Sequence, residues 1–522
     1  MGDLRPVFVD APAGRFRGQR HGEGGAVFAG IPFAAPPVGE RRLRPPQSIP
    51  DACGEVDATR FPPAPAQVKA TASAGQDAPG PVAAIAAAWS RTPTSEDCLY
   101  LNVWTPDGAT LPGSQAPPGP ARPLRPVIAW IYGGGFEGGS ASPPVTDGAA
   151  LARQTGAVVV AANYRTGALG FGHWAAVGGA AWADCSNLGH QDQLAALCWV
   201  RRNIERFGGD PENITVAGGS AGAFSVGALL AAPRARGLFH KAILHSGGAG
   251  RIAPAAAARR LAFDLLDAVG AASAEDLREV EVGRLVEASQ AVVAEDIGKR
   301  YLDGAAWGTV LEGALLPRHP LEAIRDGAAT GIPLLVGANR DEARGYRAAA
   351  GESFAPVDSV ALAAEFAKAG ARDPAALLRA YRERLGEAAS LGDIREAFLA
   401  EAVYRRPASS LAAAHRRAGG LAWTYLFCGE PFGPALGACH GADAVFTFDH
   451  LRALGLDSPQ NLAIRDEMMA AWASFVWSGA VPWPPHSPTA EPTTRRFGGG
   501  APTGALVDEP VRDAVLQAWP LP

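Results

Sequence analysis

Six short apolar runs, at 127–132, 157–162, 214–217, 242–245, 333–336 and 421–427, are bounded by turn residues and show no alternation of apolar and polar positions. A strand of that kind buries both faces, which suits a sheet covered by helices on each side. Helical patterns fill several of the gaps. The stretch 191–207 places Leu194, Leu197, Val200 and Ile204 along one stripe and stops at Gly208-Gly209-Asp210-Pro211. Stretches 259–268 and 374–385 also read as helices. Strands alternating with helices predict an α/β fold with a central, mostly parallel sheet flanked by helices. The regions 250–330 and 350–415 are Ala-rich and mainly helical, and are expected to cap the carboxyl edge of that sheet. No charged or Ser-rich linker divides the chain, so a single domain, 1–522, is expected although length alone allows more.

Composition narrows the function classes. Hydrophobic residues make up 48% of the chain and charged residues 19%, enough for a large core. A formal net charge of −5 with no Lys/Arg run argues against a nucleic-acid platform. The first residues lack the apolar stretch of a secretory signal, and no window approaches the ~20 apolar residues of a membrane span. The 6 cysteines (Cys53, Cys98, Cys185, Cys198, Cys428 and Cys439) are too sparse for a disulfide scaffold. No Cys-x-x-Cys pair points to a metal or redox centre. The expectation is a cytoplasmic protein, monomeric or a small homo-oligomer, with no cofactor, metal, nucleic-acid partner or membrane attachment. Cys439, beside a histidine, is the one thiol to watch, with a small buried residue as the plainer reading.

The pentapeptide Gly218-Gly219-Ser220-Ala221-Gly222 joins the 214–217 run to an Ala/Leu-rich helical stretch, 221–231. Flanking glycines permit a sharp strand-to-helix turn that lifts a serine hydroxyl above the sheet edge. The helix start adds N–H groups and a positive dipole end beside it. In a chain with 63 glycines the same residues also suit a plain tight connection. A serine hydroxyl becomes a nucleophile only with a base to take its proton, a carboxylate to orient that base, and donors for the oxyanion.

Three segments offer those parts. Run 127–132 leads into Gly133-Gly134-Gly135-Phe136, and the N–H groups of Gly134, Gly135 and Ala221 would make a three-donor hole. Losing one such donor costs ~3 kcal/mol of transition-state stabilisation. Run 333–336 ends in Gly337-Ala338-Asn339-Arg340-Asp341-Glu342, with two candidate acids where such sheets place function. Run 421–427 precedes Gly437-Ala438-Cys439-His440-Gly441-Ala442-Asp443, where His440 is a candidate base. Taken singly, these read equally well as a flexible turn, a solvated acid and an inert loop histidine. Serine, then acid, then histidine is the chain order of the α/β-hydrolases.

With these motifs in order, the chain resembles the type-B carboxylesterase family of α/β-hydrolases, which takes in bacterial p-nitrobenzyl-type esterases, animal carboxylesterases and cholinesterases. The likeness runs from about residue 15 to 485. It is carried by FAGIPFAAPPVG at 28–39, SEDCLYLNVW at 95–104, WIYGGGF at 130–136, NYRTG at 163–167 and the stretch 187–216, which includes FGGDPEN at 207–213. The resemblance implies an α/β-hydrolase fold, with Ser220 as nucleophile, His440 as base, and Glu342 as acid through the pattern Asn-x-Asp-Glu. It implies Gly134, Gly135 and Ala221 as oxyanion donors. Asp341, after the same strand, is the rival acid on the residues alone. Ser246 matches a serine that touches the triad acid in relatives. Arg42 with Glu96, and Arg165 with Asp192, match structural ion pairs.

Three positions depart from the family pattern. The residue before the nucleophile, usually Glu, is Gly219, and the usual Glu after the histidine is the shorter Asp443. A negative charge beside His440 is thereby missing, so less attraction for cationic substrates is expected than in cholinesterases. Cys98 matches a family half-cystine whose partner position holds Pro65, so the loop between them is expected to be unstapled unless Cys53 substitutes. Trp89 is a candidate for the substrate entrance, with packing equally open. The reading is a serine carboxylester hydrolase acting on small to medium uncharged esters through an acyl-enzyme, with Phe136, Phe224 and Phe432 among the gorge residues. One alternative is a specialised hydrolase or acyltransferase on a carbamate, amide, thioester or natural-product ester. Another is a non-catalytic binding protein, which the retained triad residues oppose.

Overall fold

The computed structural model describes residues 6–21, 24–51, 54–68, 91–106, 123–144, 146–313, 315–487, 493–500, 505–507, 515 and 519. Cys53 and Trp89 lie outside the described residues. The strands are β1 (Pro6–Ala11), β2 (Gly14–His21), β3 (Gly25–Pro32), β4 (Glu55–Asp57), β5 (Ala64–Pro65), β6 (Thr94–Ser95), β7 (Tyr100–Thr105), β8 (Arg125–Ile131), β9 (Val158–Ala162), β10 (Gly209–Gly219), β11 (Lys241–His245), β12 (Leu334–Asn339), β13 (Ala422–Phe427), β14 (Thr494–Phe497) and β15 (Leu506–Val507). One sheet runs in the order β1-β2-β3-β7-β9-β8-β10-β11-β12-β13-β14-β15, with β4 beside β2, while β5 and β6 pair with each other.

From β9 through β14 all neighbours are parallel, and the flanking pairs along that order are antiparallel, while β4 lies parallel to β2. The six apolar runs are six of these parallel strands. Every residue of β11, β12 and β13 is buried, which is why their sequences do not alternate. The antiparallel wing was not legible as apolar runs. In β2, Arg15 and Arg17 alternate with the buried Phe16 and Gly18, the pattern of a strand with one wet face.

Helices pack on the sheet. Pro374–Leu385 coincides with its sequence pattern, and Ala255–Val269 extends the one read at 259–268. Leu188–Asn203 begins earlier than its stripe and closes in a 3-10 turn, Ile204–Phe207. The helix Ala221–Ala231 is buried on all sides, so it has no polar stripe at all. Between 250 and 330 lie the helices Ala255–Val269, Val282–Ala291, Ile297–Leu302 and Pro320–Arg325. Between 350 and 415 lie Ser359–Lys368, Pro374–Leu385, Leu391–Ala400 and a π turn, Glu401–Arg405, that runs into Arg406–Arg417. No helix among the described residues is long and apolar enough to cross a membrane.

Both ion pairs implied by the resemblance form. Arg42 grips Glu96 through two N–H···O bonds of 2.7 and 2.5 Å and also donates to the carbonyls of Leu277, Arg278 and Val280. Arg165 grips Asp192 at 2.8 and 2.6 Å in a fully buried setting. Such buried forks fix position more than they add stability, because desolvation offsets much of their attraction. Cys98, Cys185, Cys198, Cys428 and Cys439 are free thiols.

Candidate active site

The elbow begins with glycines that nothing else can replace. A Cβ on Gly218 would sit 2.6 Å from the backbone of Gly222, and one on Gly222 would sit 2.0 Å from the carbonyl oxygen of Ile131. The helix Ala221–Ala231 therefore starts in direct backbone contact with β8 and β10. Ser220 stands between them at φ 55 and ψ −122, a left-handed conformation that costs a non-glycine residue ~1–3 kcal/mol. Its N–H donates to the carbonyl of His245 at 2.8 Å, and its carbonyl accepts from Phe224 N–H at 3.0 Å. With the main chain pinned at both ends, the side chain points into the opening above the sheet's carboxyl edge.

β12 and β13 bring the other two groups to that edge. The hydroxyl of Ser220 lies 2.8 Å from His440 Nε2, and His440 Nδ1 lies 2.6 Å from Glu342 Oε2. Glu342 is 0% exposed, and its other oxygen accepts the Asn339 N–H at 2.7 Å. Asp341, the rival acid, faces the opposite way. It forms ion pairs with Arg340 and Arg344 and accepts the Ala438 N–H at 2.9 Å. Burial raises its carboxyl, but those hydrogen bonds and arginines outweigh burial and hold it below 3.8. Its task is to fasten the loop that carries His440. The ring of Tyr404, on the π turn, stacks on His440 with centroids 4.2 Å apart. π turns inside helices are recurrent at functional sites. Cys439 is buried and its thiol is pushed up to about 12, chiefly by burial, so it is inert.

Beneath the elbow sits a second imidazole–carboxylate pair. His245 Nδ1 lies 2.9 Å from Asp443 Oδ2, and both residues are buried. Trp472 Nε1 donates to His245 Nε2 at 3.2 Å, so the proton of this imidazole resides on Nδ1 and points at Asp443. Asn339 Nδ2 donates to Cys439 O at 2.7 Å and to Asp443 Oδ1 at 3.3 Å, tying this pair to the His440 loop. Burial disfavours charge on Asp443, yet the hydrogen bonds from His245 and Asn339 hold its carboxyl below 3.8. Gly219 borders this cluster. A Cβ there would meet Trp130 at 3.6 Å and His245 at 3.9 Å, ordinary contact distances. Sequence reasoning singled out Asp443 and Gly219 but missed His245. The signal available was a histidine closing a wholly apolar run, a polar group that must find a buried partner.

One expectation needs correcting. The resemblance implies that Ser246 contacts Glu342, but its hydroxyl is buried without a hydrogen-bond partner among the described residues. Ser246 holds φ 56 and its N–H donates to Gly337 O at 2.8 Å, while the hydrogen bonds on Glu342 come from Asn339 and His440.

The glycine turn after β8 abuts the elbow. A Cβ on Gly133 would lie 2.9 Å from that of Ser220, and Gly134 and Gly135 hold φ 124 and 67. The N–H groups of Gly134, Gly135 and Ala221 have no partner among the described residues, the last because a helix's first turn leaves its donors free. Phe136 and Phe224 both lie against the guanidinium of Arg251, at 4.9 and 5.5 Å from ring centroid to Cζ. Phe432 is half-buried against the core.

Comparison with known proteins supplies the family. The model of the carboxylesterase family matches residues 5–498. The para-nitrobenzyl esterase of Bacillus subtilis is 35% identical over 89% of this chain and 90% of its own. The fumonisin B1 esterase of Sphingopyxis macrogoltabida is 34% identical over 88% of this chain and 82% of its own. Among solved structures, the Geobacillus stearothermophilus carboxylesterase EST55 superposes with a TM-score of 0.78 at 34% identity, covering 94% of this chain and 96% of that one. A serine on a strained elbow, within a fold shared along nearly its whole length with esterases, leaves one conclusion: the chain belongs to the carboxylesterase family and is a carboxylic ester hydrolase.

Proposed function

We propose that Ser220, His440 and Glu342 are the catalytic triad of this hydrolase. His440 Nε2 takes the proton of Ser220 as its oxygen attacks the ester carbonyl, giving a tetrahedral oxyanion. The N–H groups of Gly134, Gly135 and Ala221 stabilise that oxyanion. His440 then protonates the departing alcohol, leaving an acyl group on Ser220, and water repeats the sequence to free the acid. Glu342 keeps the imidazole oriented and stabilises its charged form. The observation that carries this reading is the unbroken chain from Ser220 Oγ through His440 to Glu342, at 2.8 and 2.6 Å.

The aromatic residues Phe136, Phe224 and Tyr404 beside the glycine turn, Ser220 and His440 suit small and medium esters with apolar flanks. The free thiols among the described residues fit a reducing compartment, and a cytoplasmic site of action follows from that reading. The test is turnover of p-nitrophenyl esters of increasing acyl length by wild type and Ser220→Ala. Wild type should show a chain-length optimum, and Ser220→Ala should lose about 10⁶-fold in kcat. Equal rates for the two proteins would refute the triad.

A further inference from the structure

Against the phenylalanine that follows the glycine turn lies an arginine without a counter-ion among the described residues. Arg251 is half-buried, and its guanidinium lies 3.9 Å from the ring centroid of Tyr301, with Phe136 and Phe224 on its other sides. Of the five N–H donors of a guanidinium, one meets Tyr301 OH at 3.1 Å, and no carboxylate within reach pairs with the rest among the described residues. The neighbouring charges are already matched. Arg300, on the same wall, pairs with Glu137. Glu342 is held by Asn339 and His440. Tyr346 and Tyr404 are buried phenols, which burial keeps protonated, so they supply no counter-charge.

This arginine is also close to the chemistry. Phe136 directly follows the glycine turn, and Phe224 lies one helical turn beyond Ser220. Tyr301 OH is 3.3 Å from Tyr404 OH, and the Tyr404 ring stacks on His440. The rings of Phe136, Phe224 and Tyr301 hold the half-buried guanidinium in place, and its unmatched N–H donors are set for a two-pronged grip on a carboxylate.

We propose that Arg251 binds a carboxylate carried by the ester itself, so that the enzyme prefers half-esters of dicarboxylic acids, or esters of hydroxy acids, over their neutral counterparts. This rests on the triad reading above and adds a charged class to the uncharged esters that the apolar lining suggests. Tyr301 positions the guanidinium.

Two substrate pairs test it and separate the two sources of the carboxylate. 4-Nitrophenyl hydrogen glutarate against its methyl ester places the charge on the acyl side, and 4-acetoxybenzoate against its methyl ester places it on the alcohol side. In wild type, kcat/KM should favour the charged member of at least one pair by about tenfold or more, mainly through KM. Arg251→Met should bring that ratio to about one, Arg251→Lys should keep part of it, and 0.5 M salt should reduce it in wild type. A wild-type ratio at or below one in both pairs, or a ratio that survives Arg251→Met, overturns the proposal. Failure of the triad reading looks different, because then Ser220→Ala turns over these esters as fast as wild type. Calorimetry with free glutarate still decides in that case: binding that disappears in Arg251→Met supports the site, and equal binding in the two proteins refutes it.

Discussion

Two imidazole–carboxylate pairs meet at one edge of the sheet, tied together by Asn339, and they differ in what meets the second ring nitrogen. In His440–Glu342 that nitrogen faces Ser220 Oγ at 2.8 Å, and the ring borders the cleft. In His245–Asp443 it accepts a hydrogen bond from Trp472 at 3.2 Å, and the pair is closed off from solvent. The first imidazole can pick up and release a proton towards a reacting group. The second has both nitrogens committed, and its backbone carbonyl holds the Ser220 N–H at 2.8 Å. On the triad proposal, the same two residue types serve as catalyst or strut according to one contact.

The largest effect should come from breaking the first pair. Glu342→Gln should lower kcat about 10⁴-fold, or about 5.5 kcal/mol, by losing the correct tautomer and the charge that supports the imidazolium. Its urea-unfolding midpoint should move little by comparison. His245→Ala should reverse that pattern. It leaves Asp443 buried without its main partner and should cost about 3–5 kcal/mol of stability in urea unfolding, with kcat reduced less than about tenfold.

pH separates the pairs further. The folded carboxyl of Asp443 is depressed below 3.8, so the stability it contributes is present above that value and is lost as pH falls through the lower folded one. Asp443→Asn should therefore flatten the acid side of the stability profile below about pH 4, measured by unfolding at fixed pH steps. An unchanged acid slope would remove Asp443 from the account. The smallest effect belongs to Gly219→Ala. Its Cβ meets Trp130 only at 3.6 Å, so stability should change by less than about 1 kcal/mol, whereas Gly218→Ala, 2.6 Å from backbone, should fail to fold normally.

How much of this was legible in the sequence depends on whether the signal is local. Continuous apolar runs revealed the parallel strands because both faces of β11, β12 and β13 are buried. Gly218 and Gly222 revealed the elbow because backbone proximity excludes every other residue. The choice between Asp341 and Glu342 was not fixed by the strand that carries both, and turned on a family pattern that the geometry matches. His245 escaped notice because its partner lies 198 residues away. Arg251, Tyr301 and Tyr404 escaped for the same reason, coming from a loop, a short helix and a π turn that converge only in three dimensions. Ser246 misled because a matching residue type says nothing about where its hydroxyl ends up once the backbone is placed.

The rate at which a fluorophosphonate labels Ser220, followed by intact mass and peptide mapping in wild type, Glu342→Gln and Asp443→Asn, reads the difference between the pairs directly. One equivalent should attach to Ser220, slowed by orders of magnitude in Glu342→Gln and by less than about tenfold in Asp443→Asn. Labelling elsewhere, or equal slowing in the two variants, would contradict the division between a working imidazole and a buried strut.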